Sequence, residues 1–139
     1  MRVELKEGDG FMVKQGEKLL YSDETYKLIG LCMKVHRELG CGFLEPVYQE
    51  AFVILLQHEG VPYSREKNLP IYFMGVKLKK EYQADFVCFD KIILEFKAVS
   101  ALTPAHEAQL MNYLKATGLK VGLLCNFAQP SFTYRRIVL

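Results

Sequence analysis

Leu119 to Phe127 is a nearly unbroken apolar run of strand length, Leu-Lys-Val-Gly-Leu-Leu-Cys-Asn-Phe. A run of this kind is typical of a strand buried on both faces. The rest of the chain must therefore cover it, and the composition allows that: half of the 139 residues are hydrophobic and 24% are charged. This is enough apolar material for one domain with a real core, and too little charge bias for disorder.

The elements around that strand are legible from their punctuation. Residues 1–21 read as a short N-terminal extension. Met1, Val3 and Leu5 alternate, Gly8-Asp9-Gly10 turns, and Phe11 and Val13 alternate again, a weak hairpin signal. A helix starts near Asp23 as N-cap, carries Leu28, Cys32, Val35 and Leu39 at helical spacing, and stops at Gly40. The tight loop Gly40-Cys41-Gly42 leads to a second helix with Pro46 in its first turn, an inward stripe of Tyr48, Ala51, Phe52 and Leu55, and Gly60 at its end. From Tyr63 to Val99 the texture is that of strands. Leu69, Ile71 and Phe73 alternate before a Met74-Gly75 turn, Val76 to Phe89 follows, and Ile92 to Val99 is third. Thr103-Pro104 opens a helix that runs to Thr117 and stops at Gly118. Phe132 to Leu139 reads as a final edge strand. Helix, helix, three strands, helix and two strands make an α/β domain with a mixed sheet over residues 22–139.

Charge and cysteine usage exclude several classes. A net charge of +2 is too small for a strongly basic nucleic-acid coat protein, although it permits a local basic groove. No apolar run approaches the roughly 18 residues of a membrane span, and Met1-Arg2-Val3-Glu4-Leu5-Lys6 is too charged for a signal peptide, so the expected compartment is the cytoplasm. Cys32, Cys41, Cys88 and Cys125 show no C-x-x-C spacing, which removes a zinc ribbon or thioredoxin motif. Cluster ligands come in tight runs, so buried thiols are expected rather than an iron–sulfur centre.

The stretch richest in chemistry is Ala84 to Lys97. In a strand, Glu95 and Lys97 share one face while Leu94 and Phe96 take the other. The turn decides where Asp85 falls. An odd loop, Phe89-Asp90-Lys91, pairs Cys88 with Ile92 and sets Asp85 opposite Glu95. A two-residue turn instead sets Asp85 opposite Phe96 and splits the carboxylates across the sheet. In the first register the two side chains start about 5 Å apart, which lets one divalent ion take an oxygen from each. A buried ion pair of Lys97 with Glu95 or Asp85, or a solvent-facing sheet, explains the same charges. On the following helix His106, Gln109 and Tyr113 share one flank. Glu45 stands at a helix start, where negative charge is favoured by roughly 0.3–1 kcal/mol.

Together these segments resemble the GxxExxY proteins of the PD-(D/E)XK nuclease superfamily. Gly42, Glu45 and Tyr48 match the motif that names the first. Asp85 and Glu95-Phe96-Lys97 match the superfamily signature, and Gln109 and Tyr113 match the glutamine-to-tyrosine helix motif of its RecB-like exonuclease branch. The likeness runs from about Val35 to the C-terminus, with Ala84 in place of the superfamily's proline. It implies a restriction-endonuclease-like core, a mixed sheet flanked by helices. It also implies Mg²⁺- or Mn²⁺-dependent hydrolysis of phosphodiester bonds in nucleic acid, with DNA the first expectation.

By the same resemblance Asp85, Glu95 and the Phe96 carbonyl hold the ion, and Glu45 joins them directly or through water. Lys97 orients the attacking water or balances charge in the transition state, and Gln109 and Tyr113 position nucleophile or phosphate. His36 and His106 read as structural or substrate-positioning. Lys77, Lys79, Lys80, Arg135 and Arg136 are candidate phosphate contacts, Lys80 and the two arginines before the others, since edge-strand lysines also serve solubility. So few basic residues imply weak, salt-dependent binding, and hence a homodimer, a partner protein or a small substrate. Two other readings fit: a catalytically silent nucleic-acid- or protein-binding module, and a metal-dependent hydrolase of a non-polymeric phosphate.

Overall fold

Among the described residues, a sheet of six strands is crossed on one face by two helices and on the other by one. The computed structural model describes residues 19–139 and the backbone of a strand at 2–7. In chain order the elements are β1 (Arg2–Glu7), α1 (Ser22–Leu39), α2 (Glu45–His58), β2 (Tyr63–Phe73), β3 (Val76–Cys88), β4 (Ile92–Lys97), α3 (Pro104–Thr117), β5 (Val121–Asn126) and β6 (Thr133–Val138). The sheet order is β1-β6-β5-β4-β3-β2. β4 and β5 are parallel, and the other described neighbours are antiparallel. A parallel pair requires a crossover connection, and α3 is that crossover.

Each face of the sheet has its own core. Leu28, Cys32 and Val35 of α1 and Tyr48, Phe52 and Leu56 of α2 pack on Phe86, Leu94, Phe96 and Leu123. Leu110, Met111 and Leu114 of α3 pack on Leu69, Val87, Ile93 and Leu124 on the opposite face. β5, Val121 to Asn126, is buried throughout, as a strand covered on both sides must be. Here α3 comes so close that a Cβ on Gly122 would lie 2.9 Å from the Leu110 side chain. Cys32, Cys88 and Cys125 are buried free thiols, and Cys41 is exposed.

Two expectations are corrected. The first helix is capped not by Asp23 but by Tyr21, in the left-handed region (φ 56°) without a side-chain cap. Asp23 sits in the first turn, where its charge complements the helix dipole. The final strand is not an edge, because β1 pairs along its outer side from Arg2↔Val138 to Glu7↔Thr133. Of the expected N-terminal hairpin, Arg2–Glu7 pairs with β6, and the Gly8-Asp9-Gly10 turn and the Phe11 and Val13 alternation lie outside the described residues. The α3 signals hold as read: Thr103 accepts from the His106 N–H at 3.3 Å, and Gly118 ends the helix at φ 75°.

Candidate active site

The turn after β3 fixes the register. Phe89 and Asp90 both take left-handed φ (55° and 57°), and the Lys91 N–H donates to the Cys88 carbonyl at 3.1 Å. The loop is the odd one: Cys88 pairs with Ile92, Val87 with Ile93 and Phe86 with Leu94. One step further, Asp85 and Glu95 face each other, and there the ladder changes character. The Asp85 N–H donates to Glu95 Oε1 at 2.9 Å, and the Phe96 N–H donates to Asp85 Oδ2 at 2.8 Å. Each carboxylate thus takes an amide that ordinary pairing would give to a backbone carbonyl.

Asp85 is also where β3 changes its facing. Tyr82, Ala84 and Val87 belong to the α3 side, whereas Phe86 and Cys88 belong to the α1–α2 side. Residues 84 and 86 would share a face in a regular strand. Opposite this break in β2, Glu66 takes φ 52°. An irregularity of this kind re-aims one side chain, which is why such features recur beside functional sites.

Glu95 and Lys97 lie on the α3 face, with Leu94 and Phe96 packed on the other, as strand alternation requires. Lys97 Nζ donates to Gln109 Oε1 of α3 at 3.0 Å. Tyr113, four residues on, is buried with its ring 5.0 Å from that of Tyr82. Glu45, the first residue of α2, reaches the end of β4 and accepts the Ala98 N–H at 3.3 Å. The sequence-derived set of Asp85, Glu95, Lys97, Glu45, Gln109 and Tyr113 therefore gathers around the end of β4.

Burial dominates the electrostatics. Glu95 is 4% exposed; burial and then the neighbouring Asp85 charge push its carboxyl up to about 8. Burial also raises Asp85, against the opposing pull of the Phe96 N–H and Lys97. Both carboxyls are thus held above the usual carboxylate range, each by its burial first. Burial, then Glu95 and Asp85, push the Tyr113 hydroxyl to about 12, so it acts as a donor and not as a base. Among the described residues no three of the His, Cys, Asp and Glu side chains close a metal shell by themselves. The donor set still fits Mg²⁺ or Mn²⁺: two carboxyl groups that face each other across β3 and β4 offer the hard oxygens that such ions take.

Other residues prove to be scaffolding. His106 completes the α3 cap, its Nδ1 accepting the Thr103 N–H at 3.1 Å. His36 is buried against Phe127 and Phe132 with Nε2 at 2.8 Å from the Gln129 carbonyl. Tyr48 is a strut: its hydroxyl donates to the Gly40 carbonyl at 2.7 Å and accepts the Phe43 N–H at 3.2 Å, and its ring stacks on Phe127 at 4.6 Å. With Gly42 at φ 112°, this fixes the loop that delivers Glu45. Asn126 escaped sequence reasoning. It is fully buried, accepts the Val99 N–H at 3.1 Å, donates to the Val99 carbonyl at 2.9 Å, and so holds the exit of β4. The one signal was a polar side chain inside an apolar run.

The basic candidates divide. Arg136 is 1% exposed and points into the α1 side, donating to the Leu20 carbonyl at 2.6 Å and to Thr25 Oγ1 at 3.4 Å; it is not a surface phosphate contact. A charged strand residue reads as solvent-facing, but here it anchors the start of α1 to β6. Arg135 is paired with Glu107 of α3. Lys77, Lys79 and Lys80 are exposed on β3.

A helix-flanked mixed sheet, whose adjoining strands bring an aspartate, a glutamate and a lysine to one point, defines a class: α/β domains of the restriction-endonuclease type. The family model of the PD-(D/E)XK nuclease superfamily matches residues 22–137, and the chain belongs to that superfamily. Among solved structures it is similar to one titled "Crystal structure of SSO0001", with a TM-score of 0.54 and 18% identity. That likeness is one of fold; it covers 85% of this chain and 59% of the other, so the chain spans less than two thirds of that protein. No curated protein matches. No described helix is long and apolar enough to cross a membrane.

Proposed function

We propose that this protein is a divalent-metal-dependent nuclease, acting on phosphodiester bonds of nucleic acid with DNA as the first candidate, and that it belongs with the GxxExxY proteins through Gly42, Glu45 and Tyr48. The observation that carries the reading is the meeting of the Asp85 and Glu95 carboxyls beside Lys97, on a face lined by Gln109 and Tyr113. Burying two carboxyl groups so close costs several kcal/mol unless a positive partner takes up their charge. Lys97 supplies part of that charge.

Asp85, Glu95 and the Phe96 carbonyl are the groups to hold Mg²⁺ or Mn²⁺, with Glu45 completing the shell through water. Such an ion, when bound, supplies charge to the scissile phosphate and lowers the pKa of a bound water. Lys97, released from Gln109, places its ammonium against the attacking water or the developing phosphorane charge. Gln109 orients Lys97, and Tyr113 donates its proton as a hydrogen bond to a phosphate oxygen. Four free cysteines suit a reducing cytoplasm. With Arg136 interior and Arg135 paired, the chain holds a polyanion through few cations, which leaves room for a second copy or a partner protein.

Calorimetric titration with Mn²⁺, followed by cleavage of a fluorescent oligonucleotide, tests this. Saturable binding abolished by Asp85→Ala and by Glu95→Ala, with cleavage lost but binding kept in Lys97→Ala, is the expected pattern. No ion binding by the parent chain favours the second reading, a silent binding module. That reading draws on the backbone amides already seated on both carboxylates.

A further inference from the structure

The β2–β3 hairpin outruns the sheet. β3 pairs with β4 only over Phe86–Cys88, so Val76 to Ala84 has β2 as its sheet neighbour. The base of this ribbon packs on α3 through Leu69, Tyr82 and Ala84. Beyond Pro70 and Glu81, where the register shifts, it leaves the body, and Met74 and Gly75 turn it at φ 49° and 78°. The five β3 residues from Val76 to Lys80 give this free part a length of about 16 Å.

Its side chains are unusual for free ribbon. Tyr72, Phe73, Met74, Val76 and Leu78 are exposed by 61, 64, 87, 66 and 40%. A contiguous apolar tip on a two-stranded ribbon is an interaction surface or a liability. Its charge is of one sign. Residues 71–80 hold Lys77, Lys79 and Lys80, all exposed, and no Asp or Glu. A symmetric contact between two copies would set these lysines against each other, which costs affinity.

We propose that this basic, apolar-tipped ribbon is an arm that grips duplex nucleic acid, lying in a groove with Phe73 and Met74 as the inserting tip and the lysines on the flanking phosphates. Two-stranded ribbons enter the grooves of a duplex. Apolar wedges that part base steps are a known means of holding a bent duplex. Lys80 lies five residues, about 16 Å of strand, from Asp85, so one duplex can span both arm and carboxylate site. The arm rests on the nuclease reading for the identity of the polymer, and it deepens that reading by making the substrate double-stranded.

The test is fluorescence anisotropy of the full chain with a labelled 30-bp duplex in Ca²⁺, across a salt series. The joint change Phe73→Ser and Met74→Ser is expected to weaken binding about tenfold without altering the salt slope. Lys77→Gln with Lys79→Gln and Lys80→Gln is expected to weaken binding and lower the slope by about 2–3, near 0.9 per lost phosphate contact. Unchanged affinity in both variants overturns the arm. So does a parent chain that binds no duplex, one that binds anionic vesicles in its place, or a dimer that Met74→Asp dissolves while duplex binding persists. Hydrolysis of bis(p-nitrophenyl) phosphate, too small to reach the arm, separates the readings. A wrong arm leaves it intact in the parent, whereas a wrong nuclease reading leaves the parent without it.

Discussion

Replacing Glu95 by glutamine isolates the cost of the buried carboxyl pair. The amide side chain keeps an oxygen for the Asp85 N–H and cannot ionise. Glu95 has its carboxyl raised from 4.5 to about 8 by burial and Asp85. A group whose folded pKa is raised stabilises most below its unfolded value and loses that contribution as pH climbs through the folded one. Parent and Glu95→Gln should therefore be similarly stable near pH 4.5, and the variant should gain on the parent from there to about pH 8. At 1.36 kcal/mol per unit the ceiling is about 5 kcal/mol, and Asp85, raised by the same burial, carries part of it. Urea unfolding at pH 5, 6.5 and 8, with and without Mn²⁺, measures the difference. The ion needs both carboxylates ionised, so it should stabilise the parent strongly at pH 8 and little at pH 5. A parent that gains on Glu95→Gln as pH rises without metal would refute the reasoning.

Three further outcomes follow from the scaffold. Tyr48→Phe removes the hydroxyl shared by the Gly40 carbonyl and the Phe43 N–H, and should cost about 1–3 kcal/mol in thermal unfolding while weakening Mn²⁺ binding through a displaced Glu45. Gly122→Ala drives a methyl into the Leu110 side chain at 2.9 Å and should cost about 1–3 kcal/mol by the same measurement, with α3 displaced from β5. Arg136→Met should lower the Tm by losing its bonds to Leu20 and Thr25, yet leave the salt dependence of duplex binding unchanged. A fall in salt slope would return Arg136 to the phosphate contacts.

Local signals carried most of the fold. Thr103-Pro104 and Gly118 bound α3 as read, because a cap needs only its own turn. Strand alternation put Lys97 beside Glu95, but the facing of Asp85 stayed open between an odd loop and a two-residue turn until Phe89 and Asp90, both at left-handed φ, closed the odd one. The missing parts depend on distant partners. Nothing in Arg2–Glu7 names β6 as its neighbour, since strand pairing is non-local. Arg136 reads as a surface cation until α1 is folded over it. The break in facing at Asp85 has no marker in Tyr82-Gln83-Ala84, and its counterpart, Glu66 at positive φ, is a residue type that rarely adopts it. Tyr48 matched a motif, but its work as a strut appears only with Gly40 and Phe127 beside it.

The claim on which the rest depends is that Asp85 and Glu95 form one seat for a divalent ion. A crystal of the full chain soaked in Mn²⁺ at pH 8 tests it directly by anomalous diffraction. A peak between the two carboxyl groups, lost in Glu95→Gln, is the expected result. A map with no peak there, or with manganese bound only elsewhere, would contradict the account.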